Sequence, residues 1–426
     1  MHNTAREHLT GLQAFIEASP SSYHAAEEVA RQLEQNGFTR LDERQPWERA
    51  HGGQFIVRDG AVIAWLVPDT VDQLTGFRIV GSHTDSPGFK LKPNPTSSTY
   101  GWRQAGVEVY GGPLLNSWLD RDLGLAGRVT TFDGRSQLVR TGPWLRIPQL
   151  APHLDRTVND NLHLDKQQHL HPIWGLDSGP QGSGADLEAL LCDEAGIDLD
   201  ELAFCDLLTY GTERPGLLGA QQEFFAAPRM DNLSSVHASL QALLDVALGD
   251  DIAVLAAFDH EEVGSATRSG ACGPILEDVL TRVAAGHGIT GDGFRAMLAR
   301  STCISSDAGH AVHPNYAHMH DPDNRPGVNR GPLLKINANQ RYATDAVGAA
   351  LWKRACEEAD VPTQAFVSNN AVPCGSTIGP LTATRLGITV VDVGIPLLSM
   401  HSARELCGVD DPWCLSRALE AYWGGA

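Results

Sequence analysis

The chain reads as an α/β protein in which a sheet is covered by helices on both faces and interrupted by a mostly-β insertion. Three observations predict this. Short, strongly apolar runs alternate with helical periodicity in the first and last parts of the chain. The middle instead carries short strand-like segments punctuated by Gly and Pro. With 426 residues and 42% hydrophobic content, the chain is long enough for two or three domains with a full core.

In order, the first element is a helix around His24–Leu33, where Ala25, Ala26, Val29, Ala30 and Leu33 recur at helical spacing and Gly37 marks the stop. Gln54–Val57 and Ala61–Val67 flank Arg58-Asp59-Gly60 as a hairpin, and Phe77–Ser82 is a further strand. Within the insertion, Val107–Tyr110, Gly127–Phe132 and Gln137–Ile147 read as strands, and the polar stretch His153–Gly184 as a long exposed loop. The histidines of that stretch, His163, His169 and His171, are read as solvated rather than metal-binding. The α/β rhythm then returns. Leu233, Val236, Leu240, Leu243, Leu244 and Ala247 mark a helix, Ile252–Phe258 a buried strand, Tyr342–Glu358 a helix and Ile388–Val393 the last buried strand. This predicts a discontinuous body, residues 1–85 and 226–426, with 86–225 inserted.

Composition excludes several functions. Lys and Arg number 32 against 52 Asp and Glu, a formal net charge of -20 that opposes binding to nucleic acid or to an anionic membrane surface. No apolar run approaches the roughly eighteen residues of a spanning helix, and Met1–Glu7 lacks a signal-peptide pattern. The eight Cys include no C-x-x-C pair, so reduced thiols in a cytoplasmic protein are expected.

Five clusters of metal-binding side chains follow apolar runs: His83-Thr84-Asp85, Asp231, Glu261-Glu262, Asp307 and His401. In open α/β sheets ligands gather outside the carboxyl ends of strands, so these groups are expected to converge. Imidazole and carboxylate ligands in that number suit zinc and exceed what one tetrahedral ion needs, which predicts a two-metal hydrolase. Each cluster alone has a plain structural account. Asp231 sits where an Asp caps a helix, Glu261-Glu262 fits an exposed acidic turn, and a single His is most often a buried core residue. In the H-x-D pair, Asp85 is expected to orient its neighbour. Successive carboxylates behind the strand Ile252–Phe258 are costly to hold close unless cations neutralise them. One Glu would then ligate metal and the other take a proton from water.

Together these stretches resemble the aspartyl aminopeptidase family of dinuclear zinc exopeptidases. The resemblance runs in family order through Ser82–Pro87, Trp118–Leu123, Arg229–Leu233, Asp259–Ser265, Ser306–Asn315, Gln340–Thr344, Gly375–Pro380 and Met400–Glu405. It implies the mixed-sheet exopeptidase fold and an inserted dimerisation domain. It also implies two Zn²⁺ per chain, replaceable by Mn²⁺ or Co²⁺, and release of N-terminal Asp or Glu from peptides. Carried over, Asp231 bridges the ions, His83 and Asp307 hold one, Glu262 and His401 the other, and Glu261 is the general base. A cis Asp231–Asn232 peptide bond is implied as well. Lys335 matches the position that meets the acidic substrate side chain, and His310 and Tyr342 match further pocket positions. His153 corresponds to a histidine that enters a neighbouring subunit's site, and the family assembles as dodecamers built from dimers. Ala371 stands where family members commonly carry an acid. Two other readings remain at this point: a neutral aminopeptidase or deacylase on the same site, and a catalytically silent self-assembling scaffold.

Overall fold

The computed structural model describes residues 5–49, 51–177 and 186–426. Its contacts divide the chain into two compact units, Met1–Asp85 with Pro215–Met400 and Glu405–Ala426, and Ser86–Arg214 with His401–Arg404. The return to the first unit thus falls at Pro215, earlier than the 225/226 boundary expected from the sequence. The reason lies in pairing. Strands Gly216–Leu218 and Phe224–Ala227 join Glu405–Gly408, Pro396–Leu398 and Gly309–His310 in a five-stranded sheet that belongs to the first unit.

The main sheet of the first unit has nine strands. Their order is Thr39–Arg40, Gly52–Arg58, Ala61–Val67, Ile252–Phe258, Phe77–His83, Thr302–Ser306, Thr389–Gly394, Leu333–Ile336 and Gln364–Val367. Ile252–Phe258, Phe77–His83, Thr302–Ser306 and Thr389–Gly394 run parallel at its centre, while antiparallel partners on either side make the sheet mixed. Strands buried on both faces should read as continuous apolar runs, and Ile252–Phe258 does. Its Ala253, Leu255 and Ala257 enter one core and Ile252, Val254, Ala256 and Phe258 the other. Helices Ala5–Ala18, Ser22–Gln35, Met230–Asp245, Ala346–Glu358 and Asp411–Gly424 contribute to the first core. Ile275–Gly286, Asp292–Arg300 and Ile378–Leu386 contribute to the second. Helices are therefore present on both faces, as the alternating pattern predicts.

The early elements form where the sequence places them. Ser21 caps the helix Ser22–Gln35 through the His24 N–H, and Gly37 follows its end at φ 84°. Arg58 pairs with Ala61 across the two-residue turn Asp59-Gly60, with Asp59 at φ 55°. One boundary differs. The helix expected over Tyr342–Glu358 begins only at Ala346, capped by Asp345, because hydrogen bonds to Asp392 draw Ala343 and Thr344 out of helical conformation.

The second unit is built on a six-stranded antiparallel sheet, ordered Ser136–Arg140, Leu123–Thr131, Leu202–Gly211, Gly88–Thr99, Trp102–Tyr110 and Ile173–Leu176. The helix Leu187–Ala195 supplies Leu187 and Leu191 to its core beside Phe89, Leu125 and Leu207. The expected strand Gln137–Ile147 stops at Arg140. The expected loop His153–Gly184 contains the strand Ile173–Leu176, and its residues 178–184 lie outside those described. His163 and His169 are exposed, and none of the three loop histidines joins a metal-competent cluster among the described residues. Tyr100, Phe132, Leu154, Leu176 and Phe204 remain exposed.

Candidate metal centre

His83 ends its strand almost wholly buried, at 1% exposure. Its Nδ1 lies 3.0 Å from the backbone carbonyl oxygen of Asp85, an acceptor, so Nδ1 donates there and Nε2 is turned towards the carboxylates. That Nε2 is 3.3 Å from Asp231 Oδ1, 3.5 Å from Asp307 Oδ1 and 3.9 Å from Glu261 Oε2. Burial alone would lower the pKa of the imidazole. Asp231, Asp307 and Asp85 overcome this and raise it well above its ordinary value. A pocket that attracts a proton so strongly is a pocket for a cation.

Asp231 reaches this point through irregular backbone. The strand Phe224–Ala227 passes to the helix beginning at Met230 by way of Arg229 at φ 56°, and the Asp231–Asn232 bond is cis. The helix is interrupted at Asp231 (φ −81°, ψ 101°) and Asn232 (φ −125°, ψ 23°), so its regular course begins only after them. Arg229 is tied to the carbonyls of Ser19 and Ile16, the Asp231 N–H donates to Glu405 Oε2, and Asn232 Nδ2 donates to the Ser306 carbonyl. The last bond links Asp231 to the strand that delivers Asp307.

Glu261 and Glu262 occupy a 3₁₀ turn after Asp259 and His260, the latter at φ 64°. Asp85 sets this turn with both carboxylate oxygens. Oδ1 accepts from the Glu261 N–H at 3.0 Å and Oδ2 from the Glu262 N–H at 3.1 Å. Its carbonyl orients His83 and its carboxylate orients the two glutamates, a second task that the H-x-D pattern did not announce. Burial, then the charges of Asp307, Asp231 and Asp85 against the opposing effect of His83, push the Glu261 carboxyl up to about 7.

Among the described residues of the first unit, His83 with Asp231 and Asp307, and His83 with Glu261 and Glu262, each offer ligand atoms within 4.8 Å of one another. One imidazole nitrogen among several carboxylate oxygens is a donor set that fits zinc, and carboxylates placed this closely need a cation between them. His401 is carried by the second unit. Its Nδ1 faces the Gly112 carbonyl at 2.9 Å, an arrangement that would direct a metal to Nε2. His153 lies in an exposed turn of that unit.

Lys335 is not the exposed strand lysine that its position in a short strand would suggest. At 1% exposure, its Nζ donates to the Ala308 carbonyl at 2.7 Å, lies 3.8 Å from Asp307 Oδ2 and stands 5.3 Å from the centroid of the Tyr342 ring. Tyr342 and His310 line a cavity of about 250 Å³ with Phe366, His313, His320 and Cys374. Ala371, in the same neighbourhood of the sequence, brings no carboxylate and is exposed. Two buried acids that sequence reasoning passed over prove central: Glu405, which holds the Asp231 backbone, and Asp392, considered below. For Asp392 the signal was available, an acid inside an otherwise apolar strand, whereas Glu405 opens its strand directly after Arg404 and carries no such mark.

Known proteins resemble this chain over nearly its whole length. The family description "Aminopeptidase I zinc metalloprotease (M18)" matches residues 15–423. A probable M18 family aminopeptidase 2 of Streptomyces coelicolor is 53% identical over 423 residues, covering 98% of each chain. One from Pseudomonas paraeruginosa is 43% identical over 426 residues, also at 98% of each. Among solved structures, a chain of the Ape4 and Nbr1 complex superimposes with a TM-score of 0.95 at 36% identity, covering 99% of this chain and 86% of that one. The S. cerevisiae mApe1 dodecamer gives 0.86 at 28% identity, covering 100% and 98%.

Proposed function

The chain belongs to the M18 family of zinc metallo-aminopeptidases, and from that premise we propose that it releases Asp and Glu from the N-termini of peptides at a two-ion centre. The observation that carries the substrate reading is the buried ammonium of Lys335 beside a cavity lined by Tyr342 and His310. A buried cation selects strongly for a carboxylate, because a neutral side chain leaves it without a substrate partner. In this reading His83 and Asp307 would hold one zinc, Glu262 and His401 the other, and Asp231 would serve both. Mn²⁺ or Co²⁺ would serve as substitutes.

When bound, two such ions supply an acidified water and a polarised carbonyl. Glu261 takes the proton and hands it to the leaving amine, a role suited to a carboxyl poised near neutrality by burial and by its neighbours. Asp85 keeps Glu261 and Glu262 at their stations through two backbone N–H bonds. His310 and Tyr342 position the peptide, and Lys335 receives its acidic side chain. We also propose a homo-oligomer, a dodecamer built from dimers, with the second unit as an interface and His153 reaching a neighbouring site. The exposed Tyr100, Phe132, Leu154, Leu176 and Phe204 support an interface there, and the S. cerevisiae relative is a dodecamer. No helix among the described residues is long and apolar enough to cross a membrane, and the eight free cysteines favour a reducing, cytoplasmic setting.

A panel of peptides differing only in the N-terminal residue tests the substrate. Zinc-loaded protein should cleave Asp and Glu in preference to Leu and Ala. Preference for Leu or Ala would replace this reading with a neutral aminopeptidase, and release of nothing from any peptide would leave a scaffold.

A further inference from the structure

Asp392 sits in the strand Thr389–Gly394 between apolar neighbours on a strand buried in the sheet, with 0% exposure. A carboxylate in such a place is costly unless donors surround it. Here they do. Oδ1 accepts from Ser305 Oγ at 2.7 Å and from Thr377 Oγ1, and Oδ2 accepts from the Ala343 N–H at 2.6 Å. The carboxylate also lies against the N-terminus of the helix Ile378–Leu386, where Thr377 is the N-cap and the helix end favours an anion. It approaches Gly379 so closely that a methyl group there would collide with both oxygens. Burial leaves the carboxyl above its ordinary value, although Thr377, Ser305, the charge of Lys335 and the Ala343 N–H each lower it.

What this carboxylate holds is the backbone that presents Tyr342. Besides accepting from Ala343, residue 392 donates its own N–H to Thr344 Oγ1 at 2.9 Å, so the stretch is pinned at two successive residues. Tyr342, the residue before them, lines the cavity with Phe366 and stands over Lys335. On its other side, Asp392 grips Ser305, its register partner, two residues before Asp307. One buried acid thus joins the wall of the cavity to the strand of a metal-ligand candidate without reaching the cavity surface itself.

We propose that Asp392 is a positioning residue for substrate selection, fixing Tyr342 over Lys335 so that the pocket is preformed for an acidic side chain. The inference rests on the acidic-substrate reading. Asp392→Asn keeps the size but removes the charge and one acceptor, so either the Ala343 N–H meets a donor or the Ser305 and Thr377 hydroxyls must both turn round to accept. With N-terminal Asp peptides KM should rise about tenfold while kcat changes less than about threefold. With the best neutral peptide KM should move less than about threefold, and zinc content should stay at the parent value. Thr344→Val removes a single acceptor and should raise KM for acidic peptides by about threefold, while Thr344→Ser keeps the hydroxyl and the parent KM. Should Asp392→Asn fail to fold, the Thr344 pair decides. A parent enzyme with no preference for acidic residues overturns the substrate reading and this inference with it. A clear parental preference, with KM unchanged or with equal losses on acidic and neutral peptides, overturns the role of Asp392 alone.

Discussion

Two buried clusters of acids in the first unit are accommodated in opposite ways. At Asp392, hydroxyl and amide donors occupy both carboxylate oxygens and offset part of what burial costs it. Around His83, Asp231, Asp307 and Glu261 converge on one imidazole, and burial together with the neighbouring carboxylates pushes Glu261 up to about 7. The comparison teaches how to tell a polar knot from a metal centre. Where donors match acceptors the site is complete, and where carboxylates face one another it awaits a cation.

The sharpest way to break this comparison is Glu261→Gln. If Glu261 is the base rather than part of a structural knot, the variant should keep its zinc and its fold yet lose turnover by about 10³-fold or more. Metal analysis beside kinetics checks it, and unchanged activity would remove Glu261 from its role. Chelation should abolish activity in the parent, with recovery on adding Zn²⁺, Mn²⁺ or Co²⁺.

A third buried pair tests the same rule with bases. His8 and His237 lie edge to face with centroids 4.6 Å apart, and His8 Nε2 and His237 Nδ1 have no hydrogen-bond partner among the described residues. Burial lowers the pKa of His8 to about 4, and burial with the charge of His8 lowers that of His237 well below its ordinary value. A base lowered in the folded state binds its proton more readily when unfolded, so stability is present above about pH 6.5 and lost as pH falls towards about 4. For His8 alone the full effect is about 3 to 4 kcal/mol, at about 1.4 kcal/mol for each pH unit of the shift. Thermal melts of the holoenzyme at pH 7.5 and 4.5 should show a large drop in Tm that His8→Leu reduces. An equal drop in the variant would exonerate the pair.

Lys335→Met probes the cation that stands beside the acids. Loss of the ammonium should lower kcat/KM for Asp- and Glu-terminated peptides by about 100-fold, roughly 2.7 kcal/mol, and spare neutral ones. Equal losses on both would make Lys335 a structural partner of Asp307. The smallest expected effect is ionic. A chain of net charge -20 repels acidic peptides at long range, so raising salt from about 20 to about 200 mM should increase kcat/KM by less than about threefold rather than decrease it. A decrease would point to attraction by a local positive field.

Much of the metal centre was legible because strand ends are legible. An apolar run followed by His83, Glu261-Glu262 or Asp307 is a local pattern, and parallel strands must bring such ends to one rim. The hairpin at Asp59-Gly60 and the helix Ser22–Gln35 likewise follow from short-range chemistry. Asp231 was legible as a residue but not as backbone, since a capping Asp and the residue found here look alike in sequence. The helix at Tyr342 was drawn too long for a related reason. Periodicity cannot see Asp392, some fifty residues later, taking the Ala343 N–H.

The sequence by itself determined the α/β architecture, the β-rich middle and the candidate metal-binding side chains, because periodicity and strand-end chemistry are properties of neighbouring residues. Tertiary structure decided which groups are charged, buried or held. Lys335 became a buried cation rather than a surface lysine, Asp85 the clamp on two glutamates, and Asp392 the tie behind Tyr342. Those properties depend on donors and charges supplied by distant segments, and only folding brings them within the few ångströms at which hydrogen bonds and desolvation act.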